Sequence, residues 1–207
     1  FYVQQAQAFG NTITAALTAC NADAACAADF GMDAVAFYDD LAAELLSAPA
    51  VIDFPLPSGI REPRRYTLGM LETSAYNAAY ERSGRSNFVR ALAAAAQGDL
   101  LPLLRLGYAD LGMDPQTQDL TPAYGDGAAP YYLIECSDYS FGSGTPEERA
   151  QAFLDAGDAV EAAVPRLSSV YYSDLPCVFW PAEGPAERPE AFSGGAYTTF
   201  VLNSTTD

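Results

Sequence analysis

Apolar residues recur along the chain at spacings that predict helices over most of its length. Residues 3–19, rich in Ala, Gln, Leu and Thr with Gly10 as the one breaker, read as a helix ending near Cys20. From Asp33, the apolar positions Tyr38, Leu41, Ala42 and Leu45 fall on one helical face, opposite Asp39, Asp40 and Glu44, and Pro49 closes the element. Two extended runs, 51–57 and 61–66, flank Pro57-Ser58-Gly59 and predict a small hairpin arm whose prolines mark it as an edge.

Thr67 is placed to cap a helix running to about Arg82. Ser83-Gly84 reads as its break, Ser86 as the cap of another helix through Ala96, and Gln97-Gly98 as that helix's end. Asp99 starts a further helix with Leu100, Leu103, Leu104 and Tyr108 on one side. Short connections between such helices favour antiparallel neighbours in a bundle.

Residues 111–130 carry glycines and prolines with little periodicity and read as a long loop. Thr145-Pro146-Glu147-Glu148 then combines a Thr cap, Pro at the first helical position and Glu three residues on, the signature of a capping box. Ala150, Phe153, Leu154, Gly157, Val160 and Val164 form the stripe expected to be buried on the helix that follows. Residues 182–195 read as a Pro-, Gly- and Glu-rich linker and 197–202 as a β-like run. The expected fold is therefore mainly α, a helical bundle with a small hairpin arm and a short C-terminal β-like segment.

Charge changes this picture. Among 207 residues, 27 acids face 10 basic residues, all of them arginine, for a net charge of −17. Such a field repels phosphate backbones and anionic lipid, so nucleic acid and membranes are not expected partners, whereas cationic groups such as a peptide's free amine suit it. The chain contains no histidine, so it cannot complete a Ser-His-Asp triad by itself and lacks the commonest metal ligand. No apolar run has bilayer-spanning length. The start at Phe1, without Met or a basic leader, fits a processed product or an excised piece better than a complete cytosolic protein.

Four cysteines, Cys20, Cys26, Cys136 and Cys177, include no pair with zinc-type spacing. Two disulfides in an exported protein are the favoured reading, Cys20 with Cys26 and Cys136 with Cys177; four buried thiols are the alternative.

The densest chemistry lies in Tyr131-Tyr132-Leu133-Ile134-Glu135-Cys136-Ser137-Asp138-Tyr139. Glu135 and Asp138 share a face if the stretch is helical and diverge if it is extended. Paired carboxylates can do acid–base work or hold an ammonium; equally, they can pair with an arginine or stay solvated. Phe141-Gly142-Ser143-Gly144-Thr145 is neither a nucleophile elbow nor a P-loop, and reads as a flexible turn feeding a capped helix. Asp126, in Tyr124-Gly125-Asp126-Gly127, lacks the alternating acids of a calcium loop. Asn203-Ser204-Thr205 is a glycosylation sequon of the kind that recurs by chance. No cofactor is expected.

Four stretches together resemble the helical cap of α/β-hydrolases similar to secreted tripeptidyl aminopeptidases and prolyl iminopeptidases. They are Ala95-Ala96-Gln97-Gly98-Asp99, the run Tyr131 to Asp138, Cys177-Val178-Phe179-Trp180-Pro181, and the closing Phe200-Val201-Leu202-Asn203-Ser204-Thr205-Thr206-Asp207. The Cys20/Cys26 pair is also similar to one near the start of such caps. The resemblance implies that residues 1–181 form the cap and 182–207 a linker and return strand to an α/β-hydrolase core that supplies the serine and histidine. Asp207 then matches the triad acid. Asp138, with Glu135 as second choice, matches the cap acid that receives a substrate's free amino terminus, and Trp180 joins the substrate wall. Substrates would be peptides or small esters. The chain departs from the family pattern at Phe88, where tryptophan is common, and at Asp138, which is shorter than the usual glutamate. A free-standing acidic helical binding module and the cap of an esterase-type hydrolase are the competing expectations.

Overall fold

A computed structural model describes the chain over residues 2–139 and 141–181, apart from the side chains of Tyr2 and residues 123–127. The linker, the β-like run, the sequon and Asp207 lie outside the described residues, as does the Asp126 side chain.

The first helix, α1 (Tyr2–Ala22), buries Ala6, Gly10, Ile13, Leu17 and Cys20, alternating steps of four and three that keep one stripe inward. The Cys20–Cys26 disulfide, with a Cα–Cα distance of 5.1 Å, clips its end to α2 (Ala24–Phe30). Asp23 caps α2 by accepting from the Ala25 and Cys26 amides, and Gly31 ends it at φ 68°, where a Cβ is disfavoured. Asp33 caps α3 (Ala34–Ser47) through the Ala36 amide, and Asn21 braces that start by accepting from the Ala34 amide at 2.8 Å. Strands β1 (Ala50–Pro55) and β2 (Arg61–Tyr66) pair antiparallel, Ala50 opposite Tyr66 and Pro55 opposite Arg61, as the turn residues predict.

Helices α4 (Leu68–Tyr80), α5 (Arg82–Ala96) and α6 (Leu101–Asp110) pack on one another, and α4 and α5 also pack on α1. Their core includes Leu71, Ala75, Phe88, Leu92, Leu103 and Leu104, with Tyr38 and Leu41 of α3. Thr67 caps α4 as expected. The break after α4, however, falls at the extended Glu81, and Ser83-Gly84 lies in the first turn of α5. A Cβ on Gly84 would stand 3.2 Å from the Ala78 Cα, so this glycine permits close approach of two helices instead of breaking one. Ser86 is correspondingly no cap: its hydroxyl donates to the Arg82 carbonyl.

Beyond this bundle lie α7 (Pro122–Asp138), α8 (Pro146–Ala163), a 3₁₀ helix (Ser168–Asp174) and α9 (Leu175–Val178). Residues 111–130 thus form a loop only as far as Thr121; the helix α7 replaces the expected loop from Pro122 and runs through Pro130. Proline at the first helical position favours this start. Pro130 removes one helical hydrogen bond, and α7 is fastened downstream by a disulfide and two tyrosine hydroxyls.

The Thr145 capping box opens α8 in full, with the Thr145 amide donating to Glu148 at 2.8 Å and the Glu148 amide donating to the Thr145 hydroxyl at 3.3 Å. Its buried stripe is Phe153, Gly157 and Val160, continued by Val164. Leu154 is exposed, contrary to the sequence expectation, because it lies one position round the helix from Phe153.

Glu72 fastens the 3₁₀ helix to α4. It is buried and accepts the Ser169 amide at 2.7 Å, satisfying a free N–H at the helix start. The ion pairs among the described residues are Arg64–Glu62 and Arg166–Asp39, so Glu72 has no cation of its own. Burial raises its pKa, against the hydrogen bond from the Ser169 amide that lowers it, and the Glu161 charge adds to the rise. Folding therefore penalises the ionised carboxylate. The penalty is complete above the folded pKa and disappears as pH falls through that value toward the unfolded one near 4.5. Glu72→Gln keeps an acceptor for Ser169 and removes the titration. The variant is expected to be more stable than the parent at pH 7, with a smaller gain at pH 5. Urea denaturation at the two pH values checks this, and an equal difference at both would contradict it.

Candidate functional site

Helix formation through Asp138 settles the geometry of the central stretch. Glu135 and Asp138, three residues apart, share one face of α7. Glu135 is half-buried and Asp138 exposed. Burial holds the Glu135 carboxyl above the usual range, and the charges of Asp174 and Asp138 push it the same way. Three carboxylates therefore influence one another, two on α7 and one at the end of the 3₁₀ helix.

Asp174 is the member that sequence reading missed. It is 1% exposed; one carboxylate oxygen accepts the Tyr131 hydroxyl at 2.8 Å, while Oδ2 is buried without a hydrogen-bond partner. A half-satisfied buried carboxylate is costly and uncommon. The available signal was its place in Tyr171-Tyr172-Ser173-Asp174, directly before the Cys177 cluster. Nothing local marks it as buried, since its partner lies 43 residues away.

The Cys136–Cys177 disulfide forms as predicted, with a Cα–Cα distance of 4.7 Å, and joins α7 to α9. Beside it the Tyr132 hydroxyl donates to the Ser173 carbonyl at 3.1 Å. Trp180 follows one turn later, half-buried, its amide donating to the Cys177 carbonyl. Arg149 of α8 completes the floor: its Nε donates to the Val178 carbonyl and its Nη1 to the Gly144 carbonyl, at 2.9 and 2.8 Å. The Gly142–Gly144 turn, whose two glycines hold positive φ, thus serves to feed α8. Phe153 stacks on Tyr171 at 4.3 Å behind it.

The fold accordingly brings Glu135, Asp138, Cys136 and Cys177 into one neighbourhood and adds Asp174. Tyr131, Leu133 and Ile134 of α7 remain exposed around the acids. Among the described residues no group of three metal-ligating side chains could hold an ion, and no helix is long and apolar enough to cross a membrane. Among the described residues no arginine forms an ion pair with Glu135, Asp138 or Asp174, and carboxylates in such a setting are chemically able to accept charge-assisted hydrogen bonds from a cation. Comparison with protein-family models, curated proteins and solved structures finds no match to this chain.

Proposed function

We propose that the chain is the helical cap of an exported serine α/β-hydrolase, an aminopeptidase, in which the α7 carboxylates receive the amino terminus of the substrate. The observation that carries the reading is the Glu135–Asp138–Asp174 cluster, set beside exposed apolar residues and, among the described residues, without an arginine paired to it. An ammonium placed there gains charge-assisted hydrogen bonds, and the apolar surroundings accept the substrate's side chain. The two disulfides agree with an oxidising compartment.

In this mechanism the core's serine attacks the scissile carbonyl while its histidine takes the hydroxyl proton and then gives it to the leaving amine. Water, activated by the same histidine, then releases the acyl group and restores the serine. Asp207 would orient that histidine. Asp138, with Glu135, fixes how far from the amino terminus the cut falls, and Trp180 bounds the pocket. The cap binds and positions; it breaks no bond.

The test uses dipeptide amides with free and acetylated amino termini, titrated into the chain by NMR. Saturable binding of the free amine alone, weakened about ten-fold or more by Asp138→Asn or Glu135→Gln, is expected. Equal binding of the acetylated peptide would sink the amine-receiving role. Hydrolysis of aminoacyl or ester reporters by the isolated chain would sink the cap assignment. The lack of histidine also favours a second reading, a free-standing acidic binding module. Under that reading free amines bind, but adding a serine-hydrolase core produces no cleavage. An esterase-type cap would instead support ester turnover that is indifferent to Asp138→Ala.

A further inference from the structure

In a chain of net charge −17, the segment from Arg82 to Asp110 is a basic island. It holds four arginines, at 82, 85, 90 and 105, against two acids, Asp99 and Asp110, and α5 itself contains no acid at all. Arg85 is engaged with the Ala79 carbonyl at 2.8 Å. Arg90 and Arg105 are exposed, and neither makes an ion pair or side-chain hydrogen bond among the described residues.

These two arginines line the same cleft between α5 and α6. The cleft has a volume of about 390 Å³ and is lined, besides the two arginines, by Asn87, Ala91, Pro102 and Leu106. Volumes of this order hold small organic ligands, and an apolar floor under a few convergent polar groups is their usual setting. Guanidinium groups bind carboxylate oxygens in a fixed fork geometry, with Asn87 able to donate a further hydrogen bond. Long-range repulsion from so acidic a chain works against any anion, so the local cations must outweigh it.

We propose that the α5–α6 cleft binds a small organic anion, a carboxylate head on an apolar body, with Arg90 and Arg105 clamping the head and Ala91, Pro102 and Leu106 receiving the body. The site is separate from the acid cluster of α7 and opposite to it in sign, and it does not depend on the hydrolase reading.

Hexanoate, hexylamine and inorganic phosphate are the probes, titrated into the full chain with chemical-shift or calorimetric detection. Hexanoate is expected to bind saturably at millimolar concentration. Arg90→Gln and Arg105→Gln should each weaken it about ten-fold, the loss of one charge-assisted hydrogen bond. Arg65→Gln, a substitution at an exposed arginine outside the cleft, should leave binding unchanged, and thermal melts of all three variants should match the parent. The proposal is overturned by absence of saturable hexanoate binding, by persistence of binding in the Arg90→Gln/Arg105→Gln double variant, or by an equal loss with Arg65→Gln. Phosphate binding as tight as hexanoate, or hexylamine binding at the same place, would equally overturn the ligand class.

Discussion

Replacing Cys136 and Cys177 together by alanine is expected to lower the unfolding free energy by about 4 kcal/mol at 25 °C, whereas replacing Cys20 and Cys26 removes about 2 kcal/mol. The difference follows from loop length, 41 residues against six, because closing the longer loop removes more freedom from the unfolded chain. Set against the total of about 5–15 kcal/mol usual for a domain, the larger loss is severe. It is also local in effect. Helix α7 carries Pro130 in its interior, and Cys136 is 2% exposed against the body, so the bridge holds in place a helix with an internal weakness. Hydrogen exchange should accelerate through α7 in the Cys136→Ala/Cys177→Ala variant while α1 and α5 keep their protection. Uniform acceleration across the chain would show that the bridge acts on global stability alone.

Tyr38→Ala is expected to cost about 3–5 kcal/mol, and Tyr38→Phe about 1 kcal/mol. The ring is fully buried and meets Phe88 edge-on at 6.3 Å. Its hydroxyl donates to the Arg166 carbonyl at 2.7 Å, and burial keeps it protonated by raising its pKa well above 10. Arg166 in turn grips Asp39 with two bonds of 2.8 Å and reaches the Thr14 hydroxyl at 3.3 Å. Truncating the ring therefore opens a cavity among α3, α5 and the turn after α8, whereas removing the hydroxyl leaves one carbonyl to find water. Urea midpoints for the two variants separate these contributions. A Phe variant as weak as the Ala variant would assign the stability to the hydroxyl bond.

Elements with their own punctuation were legible in the sequence. Thr145-Pro146-Glu147-Glu148 and Thr67 carry their caps in local chemistry, and Pro57-Ser58-Gly59 dictates the hairpin, so no distant residue had to be known. Helix α7 was only half legible. Gly125, Gly127 and Pro130 depress local helix propensity, and what holds the segment helical includes Cys177, Ser173 and Asp174, all more than 35 residues away. The face shared by Glu135 and Asp138 depended on that same undecided point. Ser83-Gly84 misled because a glycine that permits helix contact and one that breaks a helix look identical in sequence. Leu154 misled because the apolar stripe in the sequence is wider than the one the α8 packing buries. The cysteine pairing was readable by proximity alone. Arg90 and Arg105, 15 residues apart and on different helices, meet at one cleft only because the short Gln97–Leu100 connection folds α6 back on α5.

The Cys136–Cys177 bridge also closes a covalent ring that contains the whole of α8 and the exposed turn Gly142–Gly144. A protease that cuts in that turn breaks the backbone without dividing the molecule, and the two pieces should migrate together on a gel until a reductant separates them.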